Sequence, residues 1–512
     1  MEERTLILAL ALSLLFIVLS KLLLSFALKP KLNFPPGPWT LPLIGSIHHL
    51  GNHPNTHRAL RNLSQKHGPL MQLWLGEVPA VVVSTPDVAQ EILRNQDLNF
   101  ADRHISTTVA TVSFGASDIF FSPYSERWRH LRKLSMQELL TAARVRSFQV
   151  VREEEVARLV RGLAADAARG GGVAVDLGRR IGKLVNDVVM RCSVGSRCRY
   201  RDEFLDALEM AKNQLTLLSI ADLFPSSRLA RMVAVAPRRA LSGRQRMERI
   251  IEDIIREHKE EMVVSAGDEV AAGKDCFVNV LLRLQKEGGT PIPITNDVIV
   301  VLLFDMFTGG SETSSTVMTW IMAELMRWPR VMAKAQAEVR QALKGKATIT
   351  EDDIVGLNYL KMVIKETLRL HPPAPLGAPH RCRETCKVMG YDVLKGTCVF
   401  INVWAMGRDP KYWEDPKEFK PERFENSDID YKGNNFEFLP FGSGRRSCPG
   451  INLGLANMEL ALASLLYHFD WKLPDGMSPK DLDMQETPGI VAAKLTSLNV
   501  FPLTHVAPLV GA

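Results

Sequence analysis

One short segment near the carboxyl end, residues 441–450, restricts the fold of this chain more than any other. It places Cys448 between Gly444 and Gly450. Glycine allows tight turns and a close backbone approach that a Cβ would block. Pro449 suits the first position of a following helix, and the free N–H groups of that helix would stabilise a thiolate. The pattern predicts a cysteine presented as a ligand, with a buried structural cysteine as the alternative.

The residues around the cysteine indicate which metal group it would serve. Phe441 opens the segment, and Arg446 lies two residues before the cysteine. A guanidinium group matches the geometry of a carboxylate, and haem carries two propionate carboxylates. A thiolate ligand pushes electron density onto haem iron and favours cleavage of the O–O bond. The segment therefore predicts a haem iron with Cys448 as its fifth ligand.

Composition excludes several other classes of protein. The chain has 512 residues, of which 46% are hydrophobic and 23% charged, which is ordinary for a globular protein with a large core. A formal charge of +6 is too small to indicate nucleic-acid binding. Seven cysteines form no C-x-x-C pair, which favours a reducing compartment. Cys382 and Cys386 are four residues apart, but no second pair completes a zinc site.

The first 29 residues are predicted to anchor the protein in a membrane. Residues 6–28 are almost wholly apolar, interrupted only by Lys21. A bilayer span needs about 20 apolar residues, and a lysine near one end can reach the interface. Lys29 and Lys31 follow the span, which places the remainder of the chain in the cytosol. A cleaved signal peptide is the competing interpretation.

A stiff connection and a single large domain are predicted after the anchor. Residues 30–50 are basic and contain the cluster Pro35-Pro36-Gly37-Pro38, which fixes an extended backbone. No long Gly/Ser-rich or charged linker divides residues 51–512. We therefore expect a hinge over residues 30–50 and one catalytic domain over residues 51–512.

The hydrophobic pattern of this domain indicates a mainly α fold with a small β part. Apolar residues recur at three- and four-residue spacing over most of residues 126–345. Residues 71–84 and 376–403 contain short β-rich runs. A last helix is predicted over about residues 450–468, before closing strands near residues 494–501.

One predicted helix, Asn296 to Arg327, contains residues suited to proton transfer. Gly309 and Gly310 lie at its middle, where each glycine costs about 1 kcal/mol relative to alanine. They open a groove, and Glu312 and Thr313 follow directly. Glu312 could relay protons and Thr313 could donate a hydrogen bond to oxygen. The alternatives are a helix-packing contact at the glycines and a threonine bonded to the preceding turn.

Two further patterns combine arginines with other side chains at helical spacing. Glu366 and Arg369 are three residues apart on one helix face, and Arg423 follows in Pro421-Glu422-Arg423-Phe424. Trp128 and Arg132 are four residues apart. By themselves these could be a surface ion pair and an ordinary basic amphipathic helix.

All of these motifs, taken in their order along the chain from the hinge to the cysteine segment, resemble the cytochrome P450 family. The sequence is similar to the plant microsomal group that contains terpenoid and phenylpropanoid hydroxylases. The resemblance implies a cytochrome P450 fold preceded by one N-terminal transmembrane helix, with haem b bound through the thiolate of Cys448. It also implies catalytic roles for Glu312 and Thr313, and a triad of Glu366, Arg369 and Arg423 that braces the haem loop.

The resemblance assigns further residues to the cofactor and the substrate. The implied haem contacts are Trp128, Arg132, His380, Phe441, Arg446 and Gly450. Related sequences commonly have arginine where His380 stands, so either His380 or the adjacent Arg381 would reach a propionate. The implied pocket is lined by apolar residues: Val109, Phe114, Phe120, Leu303, Phe307, Leu376, Ala378 and Ile490. Such a pocket suits a small apolar substrate.

The resemblance also implies the reaction and the partners. We expect an NADPH- and O2-dependent monooxygenase that hydroxylates a sesquiterpene or diterpene olefin in defence metabolism, with a phenylpropanoid, indole or fatty acid as alternatives. Electrons would come from NADPH–cytochrome P450 reductase or cytochrome b5, at the endoplasmic reticulum membrane with the domain facing the cytosol. A reductase-independent isomerase or dehydratase and a non-catalytic haem-binding protein are the competing functions.

Overall fold

The computed structural model describes residues 32–508, except residues 52, 54, 170–173, 198, 216–218, 265–275 and 347. The predicted membrane anchor lies outside these residues. In the described part of the chain, no helix is both long enough and apolar enough to cross a bilayer.

The prediction of a mainly α fold with a small β part is confirmed. The α-helices are α1 (Thr56–His67), α2 (Pro86–Gln90), α3 (Thr107–Val112), α4 (Glu126–Ser135), α5 (Ala142–Ser147), α6 (Gln149–Ala168), α7 (Leu177–Val194), α8 (Arg201–Lys212), α9 (Ile220–Leu223), α10 (Arg228–Val233), α11 (Ala236–Val264), α12 (Phe277–Glu287), α13 (Asn296–Arg327), α14 (Pro329–Ala342), α15 (Asn358–Leu370), α16 (Val403–Met406) and α17 (Ile451–His468). The strands are β1 (Leu70–Leu75), β2 (Val78–Val83), β3 (Asp102–Arg103), β4 (Val175–Asp176), β5 (His380–Arg381), β6 (Cys386–Val388), β7 (Tyr391–Val393), β8 (Cys398–Ile401), β9 (Phe469–Lys472) and β10 (Asn499–Thr504).

The central helix α13 has the predicted bounds. The Thr295 hydroxyl caps its start by accepting a hydrogen bond from the Val298 N–H at 3.3 Å. The helix ends at Arg327, because Pro329 disfavours helical backbone at the residue before it. Most of its residues are buried, as expected for a helix that is apolar on nearly every side. Helix α13 therefore forms the middle of the core rather than its surface.

Close packing against α7 fixes the position of α13. A Cβ built on Gly310 would lie 3.0 Å from Cγ2 of Val189, so a larger residue would push the two helices apart. Nearby, the Asn186 amide donates to the Ser311 hydroxyl at 3.2 Å. Gly310 therefore matches the helix-packing alternative, whereas a Cβ on Gly309 would meet no atom within 4 Å.

The larger sheet brings distant segments together in the strand order β1-β2-β8-β5-β3. Strands β1 and β2 form an antiparallel pair, and β2 runs parallel to β8. At the other edge, β3 pairs with β5 so that Arg103 lies opposite His380. Two smaller sheets have the orders β4-β10-β9 and β6-β7. The pairing of β3 with β5 places two basic residues at one site from positions far apart in sequence.

The described part of the hinge, residues 32–50, lies along strand β1. The Gln72 N–H donates to the Pro36 carbonyl at 2.9 Å, and the Ser46 N–H donates to the Trp74 carbonyl at 2.6 Å. These bonds attach the segment to the sheet. The orientation of the segment is thus coupled to that of the domain.

Candidate active site

The cysteine segment forms a tight turn that only glycine permits at one position. The Cys448 N–H donates to the Phe441 carbonyl at 2.8 Å, closing the turn. Gly444 has φ +68°, and a Cβ there would lie 2.5 Å from the Leu93 carbonyl oxygen. Helix α17 then begins at Ile451 with Gly450 as its N-cap. Pro449 therefore precedes the helix and does not occupy its first turn, because the turn at the cysteine extends one residue further than expected.

The surroundings of Cys448 contain groups that favour its thiolate. Burial raises the pKa of the Cys448 thiol, while a hydrogen bond from the Gly450 N–H and the charge of Arg132 act in the opposite direction. The helix N-terminus therefore supplies the expected donor. The desolvation that still opposes the negative charge is the kind of cost that a coordinated metal cation offsets.

Helix α17 carries the cysteine turn towards the predicted proton-transfer residues. A Cβ on Gly454, six residues after the cysteine, would lie 3.5 Å from the Ser314 hydroxyl of α13. Gly309, one turn before Thr313, is exposed although it lies in the middle of a buried helix. The missing side chain at Gly309 therefore leaves open space beside α13, one turn before Thr313.

Thr313 adopts the local bond that was the alternative to a catalytic role. Its hydroxyl donates to the Gly309 carbonyl at 2.7 Å. This bond fixes the position of the hydroxyl oxygen, whose lone pairs remain available to accept from a water molecule. The two interpretations are therefore compatible: the bond to Gly309 orients the group that faces the open space.

Glu312 is held by a lysine from another helix. Its Oε1 accepts from Nζ of Lys212 in α8 at 2.7 Å, and Glu209 lies 2.6 Å from the same ammonium group. Burial lowers the pKa of Lys212, but the two carboxylates outweigh burial and the pKa is raised. Lys212 therefore stays charged at neutral pH. This pairing could not be predicted from local sequence patterns, because α8 and α13 meet only in the folded chain.

A group of buried arginines lies between the cysteine turn and the α3–α4 region. Arg446 donates from Nε to the Ala101 carbonyl at 2.6 Å, Arg132 donates to the Ser447 carbonyl at 2.6 Å, and Arg103 donates to the Ala378 carbonyl at 2.6 Å. Burial lowers the pKa of Arg103 to about 9, and repulsion from Arg446 and Arg132 adds to this effect.

The arginine group fits the carboxylates of haem. Nη1 of Arg446 is buried and has no hydrogen-bond partner among the described residues. Arg446, Arg132 and Arg103 place positive charge together; Asp118 offsets part of it at Arg103, and Asp102 and then Asp118 offset part of it at Arg446. An anionic group that accepts hydrogen bonds would satisfy both conditions. Sequence analysis missed Arg103, because its place depends on the pairing of β3 with β5.

Trp128 is predicted to contact a haem propionate, but its indole N–H is bonded within the protein and its ring contacts two arginines. Its indole N–H donates to the Ile119 carbonyl at 2.8 Å, so this donor is not available to a propionate. The ring instead lies beneath two guanidinium groups, with Arg446 at 4.1 Å and Arg132 at 5.4 Å from its centre. Trp128 therefore positions these arginines through cation–π contacts.

The structure distinguishes between His380 and Arg381. Side chains alternate along strand β5, and His380 points inwards while Arg381 is exposed. Nδ1 of His380 lies 2.7 Å from the Phe100 carbonyl oxygen and therefore carries its proton. Burial, with Arg103 and Arg446 nearby, holds the pKa of His380 well below its usual range. His380 is thus a neutral inward-facing side chain whose Nε2 accepts hydrogen bonds.

Glu366, Arg369 and Arg423 form one buried network. Both oxygens of Glu366 accept from Arg369, at 2.7 and 2.8 Å, and Arg423 donates to Oε1 at 2.9 Å. The Glu366 and Arg369 side chains have no exposed surface, which excludes a surface ion pair. Arg369 also donates to the Pro416 carbonyl at 2.8 Å. The network thus joins α15 to the segment that leads to the cysteine turn.

An apolar cleft opens between the larger sheet, α3 and the turn near residue 490. The space between its lining atoms amounts to about 820 Å³, including the part that is open to solvent. Of the predicted pocket residues, the cleft is lined by Val109, Leu376 and Ile490. Its other lining residues are Leu75, Val78, His104, Ser106, Thr108, Phe121, Leu215, Asp222, Leu223, Gly377, Pro379, Cys398, Phe400 and Gly489.

The other predicted pocket residues lie elsewhere. Leu303 and Phe307 have no exposed surface and face the core, where Phe307 packs edge-on against Phe204 of α8 at 5.7 Å. Phe114 packs against Phe304, with ring centres 5.1 Å apart. Phe120 is 44% exposed, and Ala378 lies beneath the Arg103 guanidinium. Sequence could not separate the two faces of α13, since both are apolar.

A buried carboxyl pair ties the segment after α3 to α13. Oδ2 of Asp305 accepts from the Ile119 N–H at 2.8 Å, and Asp118 accepts from the Phe121 N–H at 2.9 Å. Burial raises the pKa of Asp118 to about 7. Burial, and then the neighbouring Asp118, raise the pKa of Asp305 well above its usual range. The pair therefore carries a proton at neutral pH.

The chain matches one protein-family model and is similar to several plant enzymes. The family model for Cytochrome P450 matches residues 35–499. Ent-cassadiene hydroxylase of Oryza sativa subsp. japonica is 72% identical over 512 residues, covering 99% of both chains. Ent-isokaurene C2/C3-hydroxylase of the same organism is 70% identical over 513 residues, covering 99% of both. Dolabradiene monooxygenase of Zea mays is 58% identical over 511 residues, covering 99% of this chain and 100% of that protein.

The buried network around Glu366 leads to a prediction about folding. Arg369→Ala leaves Glu366 buried with one of its two cationic partners, so we expect the free energy of unfolding to fall by about 3–5 kcal/mol. The thiolate-type CO difference spectrum should be lost with it. Chemical denaturation and CO spectra of the purified protein measure these effects.

Arg129→Ala is the matched control, because Arg129 forms an exposed pair with Glu126 at the same i,i+3 spacing. It should cost less than about 1 kcal/mol. Equal losses in the two variants would contradict a special role for the buried network.

The carboxyl pair predicts a pH dependence of stability. A raised pKa in the folded state stabilises the fold fully below the unfolded value of about 3.9, and this stability is lost as the pH rises through about 7. Wild-type stability should therefore fall by about 1 kcal/mol per pH unit between about pH 4 and pH 7. Asp305→Asn keeps an acceptor for Ile119 and removes one charge, so the fall should be smaller in this variant.

Denaturation of both proteins at several pH values measures this difference. Asp297→Asn, at an exposed position in the first turn of the same helix, serves as the control and should keep the wild-type slope. Parallel pH profiles for wild type and Asp305→Asn would show that the pair does not share a proton.

Proposed function

The chain belongs to the cytochrome P450 family, and on this premise we propose that it hydroxylates a diterpene olefin with electrons from NADPH and one oxygen atom from O2. The observation that carries the proposal is its identity, along nearly the whole chain, to hydroxylases named for ent-cassadiene and ent-isokaurene. The apolar cleft supports the same class of substrate. In the proposed hydroxylation, one oxygen atom is inserted into a carbon–hydrogen bond of the olefin.

Haem iron with a cysteine thiolate ligand supplies the activation of O2 in such an enzyme. Cys448 would provide the thiolate, while Arg446, Arg132 and Arg103 would hold the propionates. The Gly450 N–H would stabilise the sulfur through its hydrogen bond. The buried network of Glu366 and its arginines keeps the turn in place.

Thr313 and Glu312 would deliver protons to the oxygen side of the site. The hydroxyl of Thr313 is oriented by the Gly309 carbonyl, so its oxygen can hold a water molecule at a fixed place. Glu312 is 21% exposed and connects this region to solvent, but its carboxylate is held by Lys212. Proton delivery from Glu312 therefore requires the Lys212 contact to open or a water molecule to bridge it.

Electrons would enter from the side of the cysteine turn. The chain carries no recognisable flavin or nicotinamide motif. Arg129 and Arg445 are about half exposed near this turn and would present positive charge to an acidic reductase domain. NADPH–cytochrome P450 reductase is the proposed donor, with cytochrome b5 as a second one.

The reaction is tested with microsomes that contain the full-length protein and a plant reductase. Incubation with diterpene olefins, NADPH and isotopically labelled O2 should give products one oxygen atom heavier that carry the label, measured by mass spectrometry. Turnover without reductase would instead favour an isomerase or dehydratase. A normal thiolate-type CO spectrum without any diterpene product would remove the substrate proposal and leave the haem assignment.

Thr313→Ala serves as the internal control for the proton-transfer role. It should bind haem normally and consume NADPH, but release peroxide in place of much of the product. Unchanged coupling of NADPH to product would contradict the role of Thr313.

We also propose that the protein is anchored in the endoplasmic reticulum membrane by residues 1–29. Support comes from large apolar side chains that are exposed in two segments: Trp39 and Leu43 at 64% and 83%, and Leu229 and Met232 of α10 at 69% and 68%. Large exposed apolar residues that lie together mark contact surfaces. The β1–β2 turn connects the two segments. The Gly76 N–H donates to the Ile44 carbonyl at 3.3 Å, and the Glu77 N–H donates to the Leu223 carbonyl at 2.9 Å. The Glu77 carboxylate accepts from the Ser226 hydroxyl at 2.6 Å.

The anchor predicts that the full-length protein stays in the microsomal pellet after an alkaline carbonate wash. Asn62, in the sequon Asn62-Leu63-Ser64, should remain unglycosylated because the domain faces the cytosol. Release into the supernatant would contradict the anchor, and a glycan at Asn62 would reverse the proposed orientation.

A further inference from the structure

Four polar residues interrupt the apolar wall of the cleft: His104, Ser106, Thr108 and Asp222. The Ser106 hydroxyl is already used, because it accepts from the Val109 N–H at 3.2 Å. Thr108 in α3 and Asp222 in α9 both line it. Thr108 is 1% exposed and Asp222 is 9% exposed, so both are at least nine-tenths buried. The residues around them are apolar: Leu75, Val78, Val109, Leu215 and Leu223. An apolar cleft with few polar groups orients its ligand through those groups.

One carboxylate oxygen of Asp222 joins α9 to α3. Its Oδ1 accepts a hydrogen bond from the Thr108 N–H at 2.9 Å. The Thr107 hydroxyl also donates to the Ala221 carbonyl, at 3.4 Å. These bonds fix the Asp222 carboxylate and the Thr108 hydroxyl relative to each other.

The second carboxylate oxygen of Asp222 and the hydroxyl of Thr108 have no hydrogen-bond partner among the described residues. Oδ2 of Asp222 and Oγ1 of Thr108 are both buried and form no hydrogen bond with any described residue. The Ser219 hydroxyl, at the start of the same turn, is likewise buried and without a bond. Buried polar atoms are nearly always satisfied, so such a group indicates a missing partner.

We propose that Asp222 and Thr108 bind a hydroxyl group of the substrate, so that an oxygenated diterpene is bound in preference to the parent hydrocarbon. This inference rests on the proposed function and deepens it. A hydroxyl group donates to Oδ2 of Asp222 and accepts from Oγ1 of Thr108, which satisfies both atoms. A hydrocarbon in the same place leaves both unsatisfied.

If Asp222 and Thr108 bind a hydroxyl group, the substrate must already have been hydroxylated by an earlier reaction. An alcohol of this kind arises when an earlier reaction hydroxylates the diterpene olefin. Either a separate hydroxylase or a first turnover of this protein can supply it. A time course that starts from the olefin distinguishes the two, because a first turnover gives a monohydroxylated product that is later consumed.

The test compares three ligands of one carbon skeleton: a diterpene olefin, its monohydroxylated alcohol and the corresponding ketone. The full-length protein in microsomes is titrated with each, and the dissociation constant is read from the haem absorbance shift on binding. The wild type should bind the alcohol about tenfold more tightly than the olefin, as expected for a hydrogen bond to a charged group. The ratio of KM values should follow the same order.

Two near-isosteric variants separate the roles of the atoms. Thr108→Val removes the hydroxyl and keeps the N–H, so the alcohol's advantage should fall several-fold while olefin binding is unchanged. Asp222→Asn keeps an acceptor for Thr108 and replaces Oδ2 with a donor, so preference should move from alcohol to ketone. Thr111→Val is the matched control: its hydroxyl is bonded to the Thr107 carbonyl at 2.8 Å, and it should behave as wild type.

Equal affinity of the wild type for alcohol and olefin, unchanged in Thr108→Val, would overturn the inference and mean that buried water satisfies the pair. Turnover of the olefin would then still support the proposed function. Failure of every diterpene to bind or react would overturn the proposed function itself, which is a different outcome.

Discussion

The ion pair between Glu366 and Arg369 is the interaction on which the cysteine side of the molecule depends. It lies on α15 with no exposed surface, and Arg423 completes it from a segment far along the chain. The arginines also donate to the carbonyls of Pro416 and Glu414, so the same charges hold the irregular backbone before the cysteine turn. Removing one member would leave a buried charge without its partner, which makes the network strongly interdependent.

Both arginines around Glu366 pair with its carboxylate, whereas the arginines proposed to bind haem leave an excess of buried positive charge. Arg103, Arg132 and Arg446 each use donors on backbone carbonyls, which fixes their positions without neutralising them. Trp128 supports two of them through its ring. A folded chain of this kind is completed by an anionic cofactor. Cofactor binding and stability are therefore expected to be linked, since the cofactor binds only the folded state.

The cleft proposed to bind substrate has few polar side chains, and hydrogen bonds fix the position of Asp222 among them. Helix α3 is attached to α9 through Asp222, and the segment after α3 is attached to α13 through Asp305. These two carboxylates hold consecutive parts of the chain against different helices. Asp305 is satisfied by backbone, whereas Asp222 retains an unused oxygen, and this difference separates a structural carboxyl group from one suited to a ligand.

Features that depend on neighbouring residues could be predicted from the sequence. The bounds of α13 follow from a capping threonine and a proline, and the cysteine turn follows from its glycines. Three features emerge only once the chain is folded: Arg103 joins Arg132 and Arg446, His380 points inwards, and Leu303 and Phe307 face the core. Each of these depends on strand pairing or helix packing between segments far apart in sequence, and local patterns do not encode which of two apolar faces meets which neighbour.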